Sequence, residues 1–194
     1  DRSQAGVVGN WTARYAGATG NSLGVSLCAS SSAYKLSNAT DVDAVSGIDR
    51  GSVDIILTDA SSFTANDIIV FANHTTRYRV ISVGVSEDLL IEQIGAPAGT
   101  GLSIAVPDTT QVTRYWQFFD LFTKAPSKSA SSLANGGSDD EVHIVVYDTD
   151  GGITGAKNSV LEKYEAVSMA SDAKDTSGAT NFYKKVIQRR SEWI

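Results

Sequence analysis

One cysteine, one methionine, two histidines and three prolines are all that 194 residues contain, and each scarcity closes off a class of chemistry. Cys28 alone excludes an intrachain disulfide framework and leaves too few thiols for a structural zinc site; its expected place is as a small buried apolar side chain. Only His74 and His143 exist, and neither belongs to an H-x-x-x-H or H-E-x-x-H spacing. A serine triad needs a histidine oriented by a carboxylate. His143 has Asp140 and Glu141 close by, but i and i+2 neighbours on one strand face are common and no G-x-S-x-G elbow accompanies them. Positive charge is also short: 16 basic against 22 acidic residues give a net charge of -6, which argues against a nucleic-acid binder and for protein partners. No apolar run approaches the roughly 18 residues that span a bilayer.

What the chain does have is short strands. Leu23, Val25 and Leu27 alternate with polar residues and predict a half-buried strand over 23–28. Residues 29–50, rich in Ser, Ala and Asp, predict a loop or irregular bridge. Five β-rich runs follow at 53–58, 68–72, 77–83, 88–94 and 102–106, with turn residues such as Asn66-Asp67, Asn73-His74 and Gly95-Ala-Pro97 between them. Even spacing of short strands reads as a small antiparallel barrel or sandwich over 48–107. The aromatic run 113–122 has apolar residues on both faces, which predicts a strand covered on both sides.

Val142–Tyr147 is strongly aliphatic and Asp148–Gly152 supplies a turn. The next segment is ambiguous: Ser159-Val-Leu-Glu162 matches a capping box, while Val160, Tyr164 and Val167 favour a strand. The Asp-Gly turn and its glycines favour the returning strand of a hairpin. Asn181 can cap a helix that starts at Phe182 and carries Tyr183, Val186, Ile187 and Ile194 near one face.

Three arrangements invite chemistry and fall short of it. Asp148-Thr-Asp150-Gly151 begins like a calcium loop, but Gly152 and Ser159 stand where that loop needs its fifth and twelfth ligands, so a plain Asp-Gly turn is expected. Gly17-Ala-Thr-Gly20-Asn21 lacks the lysine and spacing of a phosphate loop. Three glycosylation sequons begin at Asn10, Asn38 and Asn73. No catalytic, cofactor-binding or metal-ligating residue is therefore expected, nor any cofactor.

The order of several segments nonetheless resembles the tail sheath protein of contractile-tailed (myovirus-type) bacteriophages. Tyr15-Ala16-Gly17-Ala-Thr-Gly20-Asn21 is similar to the family's aromatic-(Pro/Ala)-Gly-x-x-Gly-Asn element. Gly136-Gly137-Ser138-Asp139-Asp140-Glu141 and the aliphatic strand after it resemble the next pair of elements. Asp148-x-Asp150-Gly151, Glu162-x-Tyr164-x-x-Val167-Ser168 and the aromatic-led segment from Phe182 complete the series. The glycines have a physical reason, since they permit positive φ or close backbone approach.

The resemblance covers about 15–30 and 111–194. It implies an α+β, β-rich fold, with a mixed-sheet sheath-type scaffold at 1–47 and 108–194 interrupted by an inserted small antiparallel β-barrel or sandwich at 48–107. It also implies a virion structural subunit, assembled in the bacterial cytoplasm, whose partners are other sheath subunits, the tail tube and baseplate proteins. Such a sleeve works through intersubunit contacts that switch between two discrete arrangements; direct nucleic-acid binding, membrane insertion and catalysis have no part in it. Family members are laced by terminal arms that add strands to neighbouring sheets. Those arms are not recognisable here, so the chain, read as a fragment of a longer polypeptide, is expected to be monomeric alone. The alternative from another class is a β-rich binding module whose 48–107 unit recognises a cell-surface glycan or protein, for which exposed Tyr78 or Trp116 would speak.

Overall fold

The computed structural model describes residues 11–194; the polar, Gly-rich stretch 1–10, with the sequon asparagine Asn10, lies outside the described residues. The chain forms two compact units, one from the residues up to Ser30 together with Lys124–Ile194, the other from Ser31–Thr123. Both are built on antiparallel sheets with few, short helices, which makes the protein α+β and β-rich.

The first unit holds β1 (Leu23–Cys28), β8 (Glu141–Asp148) and β9 (Ser159–Ser168), in the order β1-β8-β9. Short helices α1 (Ala18–Asn21) and α3 (Ala130–Ala134) precede β1 and β8, and α4 (Tyr183–Arg190) follows β9. β8 is central, and its continuous aliphatic run is buried on both faces. From one face Val142, Ile144 and Val146 meet Tyr164 and Val167 of β9 and Val186 and Ile187 of α4. Each aliphatic side chain buried there contributes about 1.5–3 kcal/mol, which fixes an eight-residue helix too short to be stable alone. The ambiguous segment after the Asp-Gly turn is the returning strand β9.

The second unit is a six-stranded sheet in the order β2-β7-β4-β5-β6-β3. Its strands are β2 (Lys35–Asp41), β3 (Asp54–Ile56), β4 (Ile68–Phe71), β5 (Tyr78–Val83), β6 (Asp88–Gln93) and β7 (Gln111–Tyr115), preceded by one turn of helix, α2 (Ser31–Tyr34). Val42, Ile55, Leu57, Ile69, Phe71, Tyr78, Val80, Leu89, Ile91 and Val112 form its core. The two outer strands meet beyond their ends: Asp43 N–H donates to the Ile56 carbonyl and Thr58 N–H to the Asp41 carbonyl, each at 3.0 Å.

Several expectations are corrected. Residues 35–41 are a strand, not a loop; β2 lies at one end of the sheet order and is mostly solvent-facing, so its polar sequence gives no apolar alternation. The run 102–106 forms only the bridge between Val106 and Ile48, and Ile104, in phase with buried Leu102 and Val106, is 52% exposed. The aromatic strand stops at Tyr115, after which Trp116–Phe122 turns back through a 3-10 turn (Phe119–Leu121). Tyr34 Oη donates to the carbonyls of Phe119 and Phe122 at 2.8 and 3.1 Å, which holds that turn. Leu27 leaves the apolar face of β1 and is 44% exposed, while Cys28 is fully buried. Phe182, rather than Asn181, stands at the helix N-cap, and the Asn181 side chain donates to the Ala166 carbonyl. All strand pairs of both sheets are antiparallel; among the described residues the parallel contact is the single bridge Ser168–Phe182, where a mixed sheet was expected. The second unit is also wider than 48–107, because β2 and β7 complete its sheet.

Candidate functional site

Of the two histidines, His143 is built into the backbone network. His143 is fully buried; its Nε2 bonds the Lys124 carbonyl at 2.8 Å and its Nδ1 accepts the Ala166 N–H at 3.0 Å. That pattern places the proton on Nε2. Both ring nitrogens are spent on main chain, and a general base needs one of them for the proton it abstracts. His74 follows a tight turn against the Phe71 ring, and burial holds its ring below the usual histidine range. The two histidines lie in different units.

The carboxylates are centred on hydrogen-bond donors. Asp148 accepts the N–H groups of Gly151, Ile153 and Thr154 at 3.0, 2.9 and 2.7 Å, and the Thr154 hydroxyl at 2.9 Å. Burial pushes its carboxyl up, but these bonds outweigh that and hold it below the usual range. Donors thus converge where a cation would need bare oxygens, and among the described residues no cluster of three His, Cys, Asp or Glu could hold a metal ion. Asp140 is organised the same way, by the Ser129 N–H and hydroxyl, each at 2.8 Å, and by the Ser168 hydroxyl. This pins the Gly-Gly-x-Asp-Asp element to the end of β9.

The ring faces considered for ligand recognition are covered, with Tyr78 fully buried and Trp116 only 6% exposed. Tyr78 Oη is committed to Ser103, whose N–H it accepts at 3.0 Å.

An open concavity lies instead at the aromatic-led helix. Trp11, Thr12, Arg14, Tyr183, Lys184, Ile187, Gln188 and Ile194 line a groove of about 260 Å³. The Trp11 and Tyr183 rings stand 6.0 Å apart. Arg14 is fixed along it, donating from Nε to the Ile194 carbonyl at 3.1 Å and from Nη2 to the Gln188 carbonyl at 3.0 Å. Beneath it, Glu162 gathers the chain end: its carboxylate accepts the hydroxyls of Tyr164 and Ser191 at 2.8 and 2.7 Å and the Glu192 N–H at 2.7 Å. The sequence marked Tyr183 and Ile187 as one helix face but not Trp11 or Arg14, because nothing local joins positions some 170 residues apart.

No family model, curated protein or solved structure matches the chain.

Proposed function

We propose that this chain is part of a tail sheath subunit of a contractile-tailed bacteriophage. In this reading it surrounds the tail tube and contracts to drive the tube through the host envelope during genome delivery. One observation supports it most. The glycine element before β1 is separated by the whole of 31–123 from the acidic-aliphatic strand β8, the returning strand β9 and the aromatic-led helix α4, which follow one another, yet all four belong to one compact unit. Residues 31–110 carry none of these elements and belong to the other unit.

The 31–123 unit is then an insertion in a sheath-type scaffold. Its six strands form a small closed barrel, a reading supported by the hydrogen bonds that join β2 to β3. The partners are other sheath subunits, the tube and the baseplate, and the work is mechanical, so catalysis has no role. The donor-saturated Asp140 and Asp148, and His143 with both ring nitrogens bonded to main chain, support that view, since each serves to hold the scaffold rigid while contacts between subunits change.

Immunogold electron microscopy of purified phage particles, with antibodies raised against this chain, tests the reading. Label along the whole contractile tail, shortening with it on contraction, is expected. Label confined to fibres or capsid, or absent from particles, overturns it.

A further inference from the structure

Charge is divided unevenly between the two units. Residues 31–123 carry eleven acidic and five basic side chains, whereas the remaining residues carry eleven of each, so the whole net charge of -6 resides on one unit. Within that unit one end gathers both acid and exposed aliphatic surface. The Leu57 N–H donates to the Glu87 carbonyl at 2.9 Å, Asp43 N–H to the Ile56 carbonyl at 3.0 Å and Gly84 N–H to the Asp88 carbonyl at 2.8 Å. These bonds bring the loop after β2, the end of β3 and the β5–β6 hairpin tip together. Val45 and Val85 are almost wholly exposed there, at 95% and 103%, with Ile56 and Val83 half-exposed beside them. Asp41, Asp43, Asp54, Asp59, Glu87 and Asp88 belong to the segments these bonds join, and the single cation within 41–59 and 83–88 is Arg50.

The groove on α4 has the opposite character. Its walls are Trp11, Tyr183 and Ile187, its rim carries Arg14 and Lys184, and the exposed cations Lys185, Arg189 and Arg190 continue along the helix. Arg14 is held by two backbone carbonyls, so the groove is shaped in advance of any occupant and little ordering cost falls on binding.

We propose that the acidic aliphatic tip of one copy docks into the basic aromatic groove of α4 on a second copy of this chain. Small aliphatic side chains at the tip enter between the rings, and the surrounding carboxylates meet the cations of the rim. Complementary charge fixes the register and suppresses the wrong partner more than it adds affinity. The two patches differ, so the contact is heterologous, and repetition of a heterologous contact generates a ring or an open helix. The contact deepens the sheath reading and rests on it for its place in a helical assembly. It is weak by itself and is engaged once subunits are held at high local concentration.

Sedimentation velocity on this chain over a rising concentration series, at low and high salt, tests it. Expected is a dilute monomer that self-associates at high concentration, less so in salt. Lys184→Glu or Val85→Asp should each weaken association about tenfold or more, the equivalent of 1.4 kcal/mol, and Asp43→Lys added to Lys184→Glu should restore it. These side chains are exposed, and unchanged circular dichroism would show the variants folded. A chain monomeric at every concentration, or association indifferent to the three substitutions, overturns the contact. So does association that appears only after removal of residues 1–10, which would make the chain's own leading segment the occupant. Antibody label along the tail would survive each of these failures, so the contact and the sheath reading fail separately.

Discussion

His143 accepts the backbone N–H of Ala166 through Nδ1 at 3.0 Å. Ala166 has a φ of 51°, a conformation uncommon outside glycine. It lies where β9 carries one residue more than β8: Val142 pairs with Val167 and Ile144 with Tyr164, so His143 alone faces Glu165 and Ala166. The imidazole thus replaces the ladder bond that the bulge breaks. On the other side of Ala166, its carbonyl accepts Asn181 Nδ2 at 3.0 Å, which ties the bulge to the start of the helical segment.

His143→Ala is therefore expected to leave without their partner the two backbone groups that the buried ring satisfies, the Ala166 N–H and the Lys124 carbonyl, and to leave a cavity. Each stranded group costs about 1–3 kcal/mol, so a loss of roughly 3 kcal/mol is expected in urea denaturation followed by a probe in the first unit. A change below about 0.5 kcal/mol, the range of ordinary surface substitutions, would deny His143 this role.

Acid should act on the two units differently. In the first, burial pushes the Asp140 carboxyl up but hydrogen bonds from Ser168 and Ser129 more than reverse that, and Asp148 and Asp175 are also held below the ordinary value of 3.8. A depressed folded value stabilises above the unfolded one and is lost as pH falls through the folded value, so this unit weakens below about pH 4. Asp67 in the second unit has the opposite sign, although the exposed Asp59 there is lowered by Ser61: burial raises Asp67 despite Thr64 and Arg114, so its ionisation costs stability as pH rises from 3.8 through the raised value. In an NMR acid titration the indole signals of Trp11 and Trp193 should lose their folded positions before that of Trp116. Simultaneous loss of all three would refute the division.

The first unit was more legible in the sequence than the second. β8 announces itself because a central strand buried on both faces must be aliphatic throughout, and β9 and α4 keep their periods. β2 is silent because only Thr40 of its seven residues is buried. The aromatic run misleads because its rings pack on one another along a turning chain, Tyr115 with Phe119 at 4.5 Å and Trp116 with Phe122 at 5.5 Å. Alternation cannot distinguish that from a strand covered by other layers. The groove was hidden because one wall of it comes from Trp11, Thr12 and Arg14, on a segment without periodicity of its own.

The glycine element makes a separate prediction. A Cβ on Gly20 would stand 2.2 Å from the Tyr15 carbonyl oxygen, a main-chain atom that cannot swing aside. Gly17 meets nothing but has a φ of 83°. Gly20→Ala should thus cost about 1–3 kcal/mol through overpacking and Gly17→Ala about 1–2 kcal/mol through conformation. Equal, negligible shifts in melting temperature for both would remove the structural reason for the element.

Excision should succeed only at the observed boundary. Replacing 31–123 with a short Gly/Ser linker is expected to leave a folded first unit, since Cys28 pairs with His143 and His143 in turn bonds Lys124. Deleting 48–107 would instead strip β3–β6 from β2 and β7 and expose Val42 and Val112. Circular dichroism and amide NMR should find the first variant folded and the second aggregated; the reverse would place the boundary at 48 and 107.

At the alkaline end the relevant pair is Tyr164 and Glu162. Burial first, and then the hydrogen bond to Glu162, push the Tyr164 hydroxyl from 10.0 up to about 12. Because the folded value lies above the unfolded one, the stabilisation is fully present below pH 10 and is lost as pH rises towards 12. At 1.36 kcal/mol for each pKa unit, it amounts to roughly 2–3 kcal/mol. Tyr164→Phe should therefore flatten the alkaline limb of the stability curve between those two values, although it costs some stability at neutral pH through the lost bond. Glu162→Gln keeps an acceptor and removes the charge, so it should lower the pH at which Tyr164 ionises, read from tyrosinate absorbance. It should also loosen the turn after α4, where Ser191 and Glu192 depend on the same carboxylate. A Tyr164→Phe variant with the same alkaline limb as the parent chain would show that this hydroxyl is not the group that fails.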